Sequence, residues 1–361
     1  MFNYIAKPDL LLYNISSYCV GHSIIMIGEN KKNKIISIAV HGAVAIALLG
    51  VLILLCFKNS AGEYFELVIN KALSKSIDGN WAKTSFAFLF SIIAEYPAYF
   101  ILPIFAVMLF YSDDLVPYKW RKVFKIAMAG LSICGWIILC FKSEVADMIQ
   151  AKGLDGMKFY AIMGILALCA AGLGLYLGKF IPKRMRYILF KFAIFAICYL
   201  LIALAVNQGV KMIWHRMRFR DMLKENTLGH DGYSYFTPWY TPDIARIELN
   251  ADYAYSSFPS GHTSSATHIF LLCTLYRVLP KWREKKWLKY TLYALCSAFV
   301  LLTAISRICD DAHFLSDVIW GFVISYTIYK VLDKLFFRKS NNFAVAEEAL
   351  ASMQNKSMLL N

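Results

Sequence analysis

Eight times this chain runs for about 20 residues with few or no charges, the length an α-helix needs to cross a bilayer. The runs are Ile35–Phe57, Ser85–Tyr111, Val123–Phe141, Phe159–Leu177, Tyr187–Val210, His262–Leu279, Trp287–Ser306 and His313–Phe337. Inside hydrocarbon every backbone polar group must find its partner within the structure, so runs of this length predict helices packed together. With 59% hydrophobic and only 17% charged residues, little of the chain is left for a sizeable soluble domain. The expected fold is all-α, a polytopic transmembrane helix bundle of about eight spans, with the membrane bilayer as its surroundings.

Between the spans the chain is less uniform. Residues 1–34 are interrupted by Asn14, Glu29, Asn30 and Asn33 and end in Lys31-Lys32-Asn33-Lys34, which reads as an interfacial segment. No charged start with a short apolar core and a cleavage site is present there, so the first span is expected to direct insertion. Between 58 and 84, Tyr64, Phe65, Leu67, Val68 and Leu73 recur with loose helical periodicity, as in a helix lying on the membrane surface. The second span carries Glu95, Pro97 and Pro103, and the prolines predict kinks. A carboxyl inside a span is a candidate functional group. The reading favoured for Glu95 is plainer, a protonated carboxyl satisfying a backbone group freed by proline.

The net charge of +14 does not point to nucleic acid, because the lysines and arginines sit in short clusters beside apolar runs. Lys119 to Lys122, Lys179 to Arg186, Lys281 to Lys289 and Arg338-Lys339 all fall on one side when eight spans are counted. By the positive-inside rule that side is cytoplasmic, together with both termini, and loops 211–261 and 306–313 then face outward. The nine cysteines are scattered without metal or disulfide spacing and read as small packing residues.

Three short pieces at the ends of spans on that outer face carry the chemistry. The first is Lys211, six residues and Arg218; the second is Pro259-Ser260-Gly261-His262; the third is Ser306-Arg307, five residues, His313, three residues and Asp317. His313 and Asp317, four apart at a helix start, are expected on one face, with the carboxylate holding one ring nitrogen protonated and the other free to attack phosphorus. Lys211, Arg218 and Arg307 supply the positive charge that phosphoryl transfer needs. Ser260 and Gly261 open a helix whose amides can face a phosphate, and His262 is placed to move the proton of the leaving group. Taken one at a time, each residue has a plainer reading: Ser260 as a helix cap, His313 and Asp317 as a satisfied polar pair, Arg307 and Lys211 as interfacial anchors. Order, spacing and placement on one membrane face weigh against chance. His268 is read as a core histidine. His215 and Arg216 are equally readable as substrate contacts or interfacial residues, and Asp310 and Asp311 as groups that repel phosphate or pair with nearby cations.

These residues resemble the three signature motifs of the type 2 phosphatidic acid phosphatase superfamily, which includes lipid phosphatases, prenyl diphosphate phosphatases and vanadium haloperoxidases. The family's patterns are Lys, six residues, Arg-Pro; then Pro-Ser-Gly-His; then Ser-Arg, five residues, His, three residues, Asp. The second and third are complete here, and the first has Phe219 in place of proline. That departure removes a fixed turn but no phosphate ligand, so Phe219→Pro is expected to be tolerated. The resemblance implies that Lys211, Arg218, Ser260, Gly261 and Arg307 bind phosphate, that His262 is the acid and base, His313 the nucleophile and Asp317 its partner. It implies no metal and no other cofactor. It also implies a six-helix core over the last six spans, which gives an interfacial segment at 1–34, two additional helices within 35–120, a phosphatase core at 121–337 and a cytoplasmic tail at 338–361.

The function expected is hydrolysis of a lipid phosphate or diphosphate at the outer face of the cell membrane through a phosphohistidine. Transfer of the phosphoryl group to another alcohol uses the same intermediate. A noncatalytic transporter or scaffold that keeps the site is the alternative from another class, and Glu95 with the extra helices leaves room for it.

Overall fold

The computed structural model describes residues 27–142, 156–242, 253–279, 282 and 284–337. The expected tail at 338–361 and residues 1–26 of the expected interfacial segment lie outside the described residues. The chain divides into two compact units, Met1–Phe57 with Asn341–Asn361, and Lys58–Ser340. In the first, the described residues form one helix, α1 (Ile27–Leu54), which takes in most of the first expected span.

The described residues that position the candidate site lie in the second unit. Its helices are α2 (Phe65–Leu73), α3 (Lys75–Asp78), α4 (Trp81–Ile93), α5 (Tyr96–Tyr99), α6 (Ile101–Phe110), α7 (Arg121–Lys142), α8 (Gly156–Gly178) and α9 (Arg186–Trp214). They continue as α10 (Phe219–Thr227), α11 (Gly261–Thr267), α12 (Leu271–Val278), α13 (Lys286–Cys309) and α14 (Leu315–Phe337). Among the described residues there is no strand, and the fold is all-α as expected, with one isolated bridge between Lys58 and Tyr64.

Six helical stretches are long and apolar enough to cross a membrane: Trp81–Phe110, Tyr118–Phe141, Tyr160–Gly178, Arg186–Thr227, Lys286–Cys309 and Leu315–Phe337. The sixth expected span, 262–279, is broken into α11 and α12 by a 3-10 turn at His268–Phe270. The expected kinks in the second span are there too. The helix stops at Ile93, restarts at Tyr96 and breaks again at Phe100, because Pro97 and Pro103 cannot donate to the carbonyls one turn before them.

Around the broken helix α11–α12 pack α14, α13, α9 and the short α5. The kinked second span runs through this arrangement rather than beside it: α4 lies against α13, α5 against α11 and α6 against α9. Helices α7 and α8 then pack outside α6. At the crossing of α6 and α7 the backbones come so close that a Cβ on Gly135 would stand 2.6 Å from Cδ of Pro103, so only glycine fits. Outward-facing Ile126, Ile165, Leu173, Leu204, Leu295 and Leu301 are exposed, as a lipid-facing surface requires. The polar groups inside pair across helices. Tyr199 bonds Ser325 at 2.8 Å, Ser325 donates to the Ser264 carbonyl at 3.1 Å, and Thr274 bonds Tyr329 at 2.9 Å.

Helix α2 answers to the amphipathic periodicity, but it does not merely lie on a surface. Glu66, Leu67 and Asn70 share one face and are buried against α13 and α14. Two of these three are polar, a pattern that packing on apolar neighbours alone would not select.

Candidate active site

Three turns bring the motif pieces together. Helix α9 ends just after Lys211, where His215 takes a left-handed conformation (φ 42°) and closes the helix. The chain then doubles back beside the stretch that leads into Ser260: the Ser257 amide donates to the Arg216 carbonyl at 3.0 Å, and the Arg218 amide to the Ala254 carbonyl at 2.9 Å. Helix α13 ends at Cys309, Asp311 turns with φ 58°, and the Ala312 and His313 amides both bond back to the Arg307 carbonyl, at 3.2 and 3.3 Å. His313 is thereby returned toward the end of the helix that carries Arg307.

Ser260 caps α11, its hydroxyl accepting from the Thr263 amide and the Thr263 hydroxyl at 3.4 and 3.1 Å. Its peptide is held by α14 from both sides. The Ser260 amide donates to the Asp317 carbonyl at 2.9 Å, and one turn further a Cβ on Gly321 would lie 2.5 Å from the Ser260 carbonyl oxygen. Glycine at 321 is what lets the start of α11 sit this close to α14. Lys211 and Arg218 meet at one residue, Lys211 Nζ donating to the Ser256 carbonyl at 3.1 Å and Arg218 to the Ser256 hydroxyl at 2.9 Å. Lys211 Nζ is also 3.7 Å from where a Gly261 Cβ would stand, so the first and second motif pieces are neighbours.

His313 is buried in the turn ahead of α14, and its Nδ1 lies 2.7 Å from the Ser257 carbonyl oxygen. A carbonyl only accepts, so Nδ1 carries the proton and Nε2 of the neutral ring keeps the lone pair. The ring titrates well below its ordinary value, first because it is buried and also because Arg218 and Lys211 stand near, against the opposing pull of Asp317. His313 is therefore the free base at neutral pH.

The direct bond expected between Asp317 and His313 is not made. The carboxylate is 3.8 Å from Nδ1, too far for a hydrogen bond, because His313 precedes the helix and the four-residue helical spacing does not apply to it. Asp317 acts one step removed. Its Oδ2 accepts from the Ser257 hydroxyl at 2.5 Å and from the Phe314 amide at 2.9 Å, so it fixes the residue that holds the imidazole and the residue next to it. Asn70 of α2 secures the His313 carbonyl at 3.0 Å.

Arg216, which the sequence left undecided, is fully buried. It binds Asp317 at 2.6 Å, Ser316 at 2.8 Å and Glu66 of α2 at 2.8 Å, with its guanidinium 4.2 Å from the Phe314 ring centre. Glu66 in turn accepts the Ser316 amide at 2.7 Å, capping the first turn of α14 from another helix. Glu66, Asn70, Ser256 and Ser257 were not singled out from the sequence. None has a fixed spacing to a motif that would have marked it, and Glu66 is 150 residues from Arg216.

Arg307 is buried, with Ser91 of α4 at 2.8 Å and Asp310 at 2.9 Å. Asp310 also pairs with Lys75, and Asp311 accepts the Ser76 hydroxyl at 2.5 Å, so both acids next to the motif are engaged by α3. His268 is a core residue as read, stacked on Tyr199 at 4.1 Å. His262, at the second position of α11, has Glu95 beside it, 3.7 Å from carboxylate to Nε2. Glu95 thus faces a motif histidine and accepts the Tyr99 hydroxyl at 2.5 Å, which differs from the role of satisfying freed backbone.

Phe219 is the first residue of α10, a position that suits proline, and Arg218 before it is extended (φ −77°, ψ 149°) as a residue preceding proline must be. The side chain is another matter. It is fully buried among Leu67, Met217, Met222 and Phe314.

Two outcomes follow from this geometry. Arg216→Met strands two carboxylates in the interior and is expected to cost about 3–5 kcal/mol of stability. A melting measurement in detergent checks it, and Glu66→Gln added to it should restore part of the loss; an unchanged melting temperature would show that the network carries no weight. Phe219→Pro is expected to keep kcat/KM of the folded protein within about tenfold, since no phosphate contact is touched, yet to lose about 3–5 kcal/mol of stability, as removal of a buried phenyl ring does. The backbone at 219 suits proline, whereas the core loses the ring that packs there.

Residues 192–340 match the family model of the PAP2 superfamily. Neither the curated proteins nor the solved structures give a match to this chain. The matched stretch begins inside α9, ends just past α14 and contains all three motif pieces. Six helices are long and apolar enough to cross a bilayer, and the stretch 192–340, under half of the chain, is similar to the PAP2 superfamily, a combination that points to a membrane phosphatase.

Proposed function

We propose that the protein hydrolyses a lipid phosphate or diphosphate, phosphatidate-like or polyprenyl, through a covalent phosphohistidine on His313. Nε2 of His313 attacks phosphorus in line with the leaving oxygen, and a P–N bond forms as the P–O bond breaks. His262 gives its proton to that oxygen, then takes one from a water whose oxygen attacks phosphorus, and the P–N bond breaks to return neutral His313 and free phosphate. Lys211, Arg218 and Arg307 carry the charge that builds on the phosphoryl oxygens, so the reaction is read as independent of a metal. Ser260 and the amide of Gly261 contribute at the start of α11.

The observation that carries this reading is the state of His313: buried, protonated at Nδ1 by its bond to the Ser257 carbonyl, and near two cations. A histidine kept only to fill space needs neither a defined tautomer nor cations around it. Position supports a lipid substrate, since the motif residues lie at the ends of apolar helices, where a tail can stay in the bilayer while its head reaches the site. The basic clusters support an outward-facing site with both termini in the cytoplasm.

Rapid quench with a radiolabelled aryl phosphate bearing a good leaving group tests the chemistry. His262→Ala should still label His313 and then stall, leaving an acid-labile, base-stable phosphoenzyme, whereas His313→Ala should never label. Label on His313→Ala, or none on His262→Ala, would overturn the assignment. Release of inorganic phosphate from phosphatidate or a polyprenyl diphosphate in micelles distinguishes hydrolysis from transfer to an alcohol. The orientation is tested by single cysteines in an otherwise cysteine-free protein: those within 221–242 should react with an impermeant thiol reagent in intact cells, and those at 284–286 should not. The reverse pattern would place the site in the cytoplasm.

A further inference from the structure

The carboxylate of Glu95 belongs to the second span, far outside the residues that match the family model, yet it stands at the second motif. Its position follows from the kink. Pro97 stops α4 at Ile93, and the short α5 that follows is begun by Glu95, whose carbonyl accepts the Ala98 and Tyr99 amides at 3.1 Å each. Glu95 and Tyr99, one turn apart, therefore share a face, and α5 packs on α11. Tyr99 donates its hydroxyl to Oε2 at 2.5 Å, while Oε1 lies 3.7 Å from Nε2 of His262. Both side chains are three-quarters or more buried, where a charge is screened less than in water and is expensive without a partner.

We infer that Glu95 is a positioning residue for His262, holding the ring in place and favouring the protonated form that gives its proton to the leaving oxygen. The inference rests on the role given to His262 above and adds to it a carboxylate that the three motifs do not contain. Lys211 Nζ stands 3.7 Å from where a Gly261 Cβ would be, so a cation lies beside the same turn, and the Glu95 carboxylate on the other helix favours the imidazolium of His262 against it. Tyr99 holds the carboxylate in place and keeps its second oxygen satisfied. The charge of Glu95 also reaches Lys211, so a competing role in phosphate binding has to be told apart from the role through His262.

Glu95→Gln separates them, because glutamine keeps the shape and can still accept from Tyr99. With dioleoyl phosphatidate in mixed micelles, kcat should fall about 10- to 100-fold, less than or equal to the loss for removing an acid–base group outright. KM and inhibition by vanadate should stay within about threefold, since phosphate binding does not pass through His262. The burst of phosphoenzyme from p-nitrophenyl phosphate, whose leaving group needs no proton, should keep its rate. Adding Glu95→Gln to His262→Ala should slow the enzyme no further, because two residues that act as one unit are not additive. Tyr99→Phe, which leaves the carboxylate in place but loosely held, should lower kcat several-fold in the same pattern and serves if Glu95→Gln fails to bind vanadate. A kcat within twofold of wild type, a loss confined to KM, or losses that multiply with His262→Ala would each overturn the inference. Unimpaired turnover by His262→Ala itself would instead overturn the role of that histidine.

Discussion

A single arginine holds the site in register. Arg216 is buried without any exposed surface and joins Glu66 of α2 to Asp317 of α14, with Ser316 as a third partner. Two carboxylates and one guanidinium in an apolar interior would be ruinous if only the three charges were present. The remaining lone pairs are met by donors that α14 supplies at its own N-terminus: the Ser316 amide for Glu66 and the Phe314 amide for Asp317. The dipole of that helix favours negative charge at the same end. A buried network of this kind contributes little net stability compared with an apolar core, but breaking it is costly, and its geometry admits one arrangement of the elements it joins. Here those elements are α2, the turn after α9 and the start of α14, and every candidate catalytic group lies within a few residues of one of them or of the loop they enclose.

From that fixed point the configuration of His313 follows in short steps. Arg216 holds Asp317; Asp317 holds the Ser257 hydroxyl; the carbonyl of the same serine holds Nδ1 of His313. The carboxylate therefore decides the tautomer without touching the ring. Burial and the nearby cations keep the ring neutral, while Asp317, 3.8 Å away, opposes them without a direct hydrogen bond. A direct bond from Asp317 would pull the ring further toward the imidazolium, and the interposed serine tempers that pull.

What could be read from the sequence was whatever depends on short spacing. The long apolar runs gave helices, and the prolines in the second span gave its breaks. The motif order brought Lys211, Arg218, Ser260, His262, Arg307 and His313 to one end of the bundle. The misreadings came where a rule was carried past its element. Four residues between His313 and Asp317 mean a shared face only inside a helix, and α14 begins at Leu315. Proline suits the backbone at 219, but spacing says nothing of a ring packed on Phe314. The partners of Arg216 and Arg307 were out of reach because Glu66 and Ser91 are 150 and 216 residues away, distances over which no local pattern survives. In the sixth expected span the apolar run was legible, but the 3-10 turn that splits it was not, since His268 is fixed there by stacking on Tyr199 of another helix.

The residues that match the family model hold the whole of the motif chemistry, yet they do not hold themselves together. Glu66 compensates Arg216, Asn70 anchors the His313 carbonyl, Ser91 bonds Arg307 and Glu95 faces His262; all four come from 66–95, upstream of the match at 192–340. Each meets a different motif residue or its immediate support, and each does so with a polar group on a helix that otherwise packs through apolar side chains. If this upstream stretch were merely an added membrane anchor, its contacts with the remainder would be apolar and interchangeable, as lipid-facing helix contacts are. Four specific polar contacts at four separate points of one candidate site are what is expected when the two stretches have been fitted to each other, so that the second span and the amphipathic helix before it wall the candidate site.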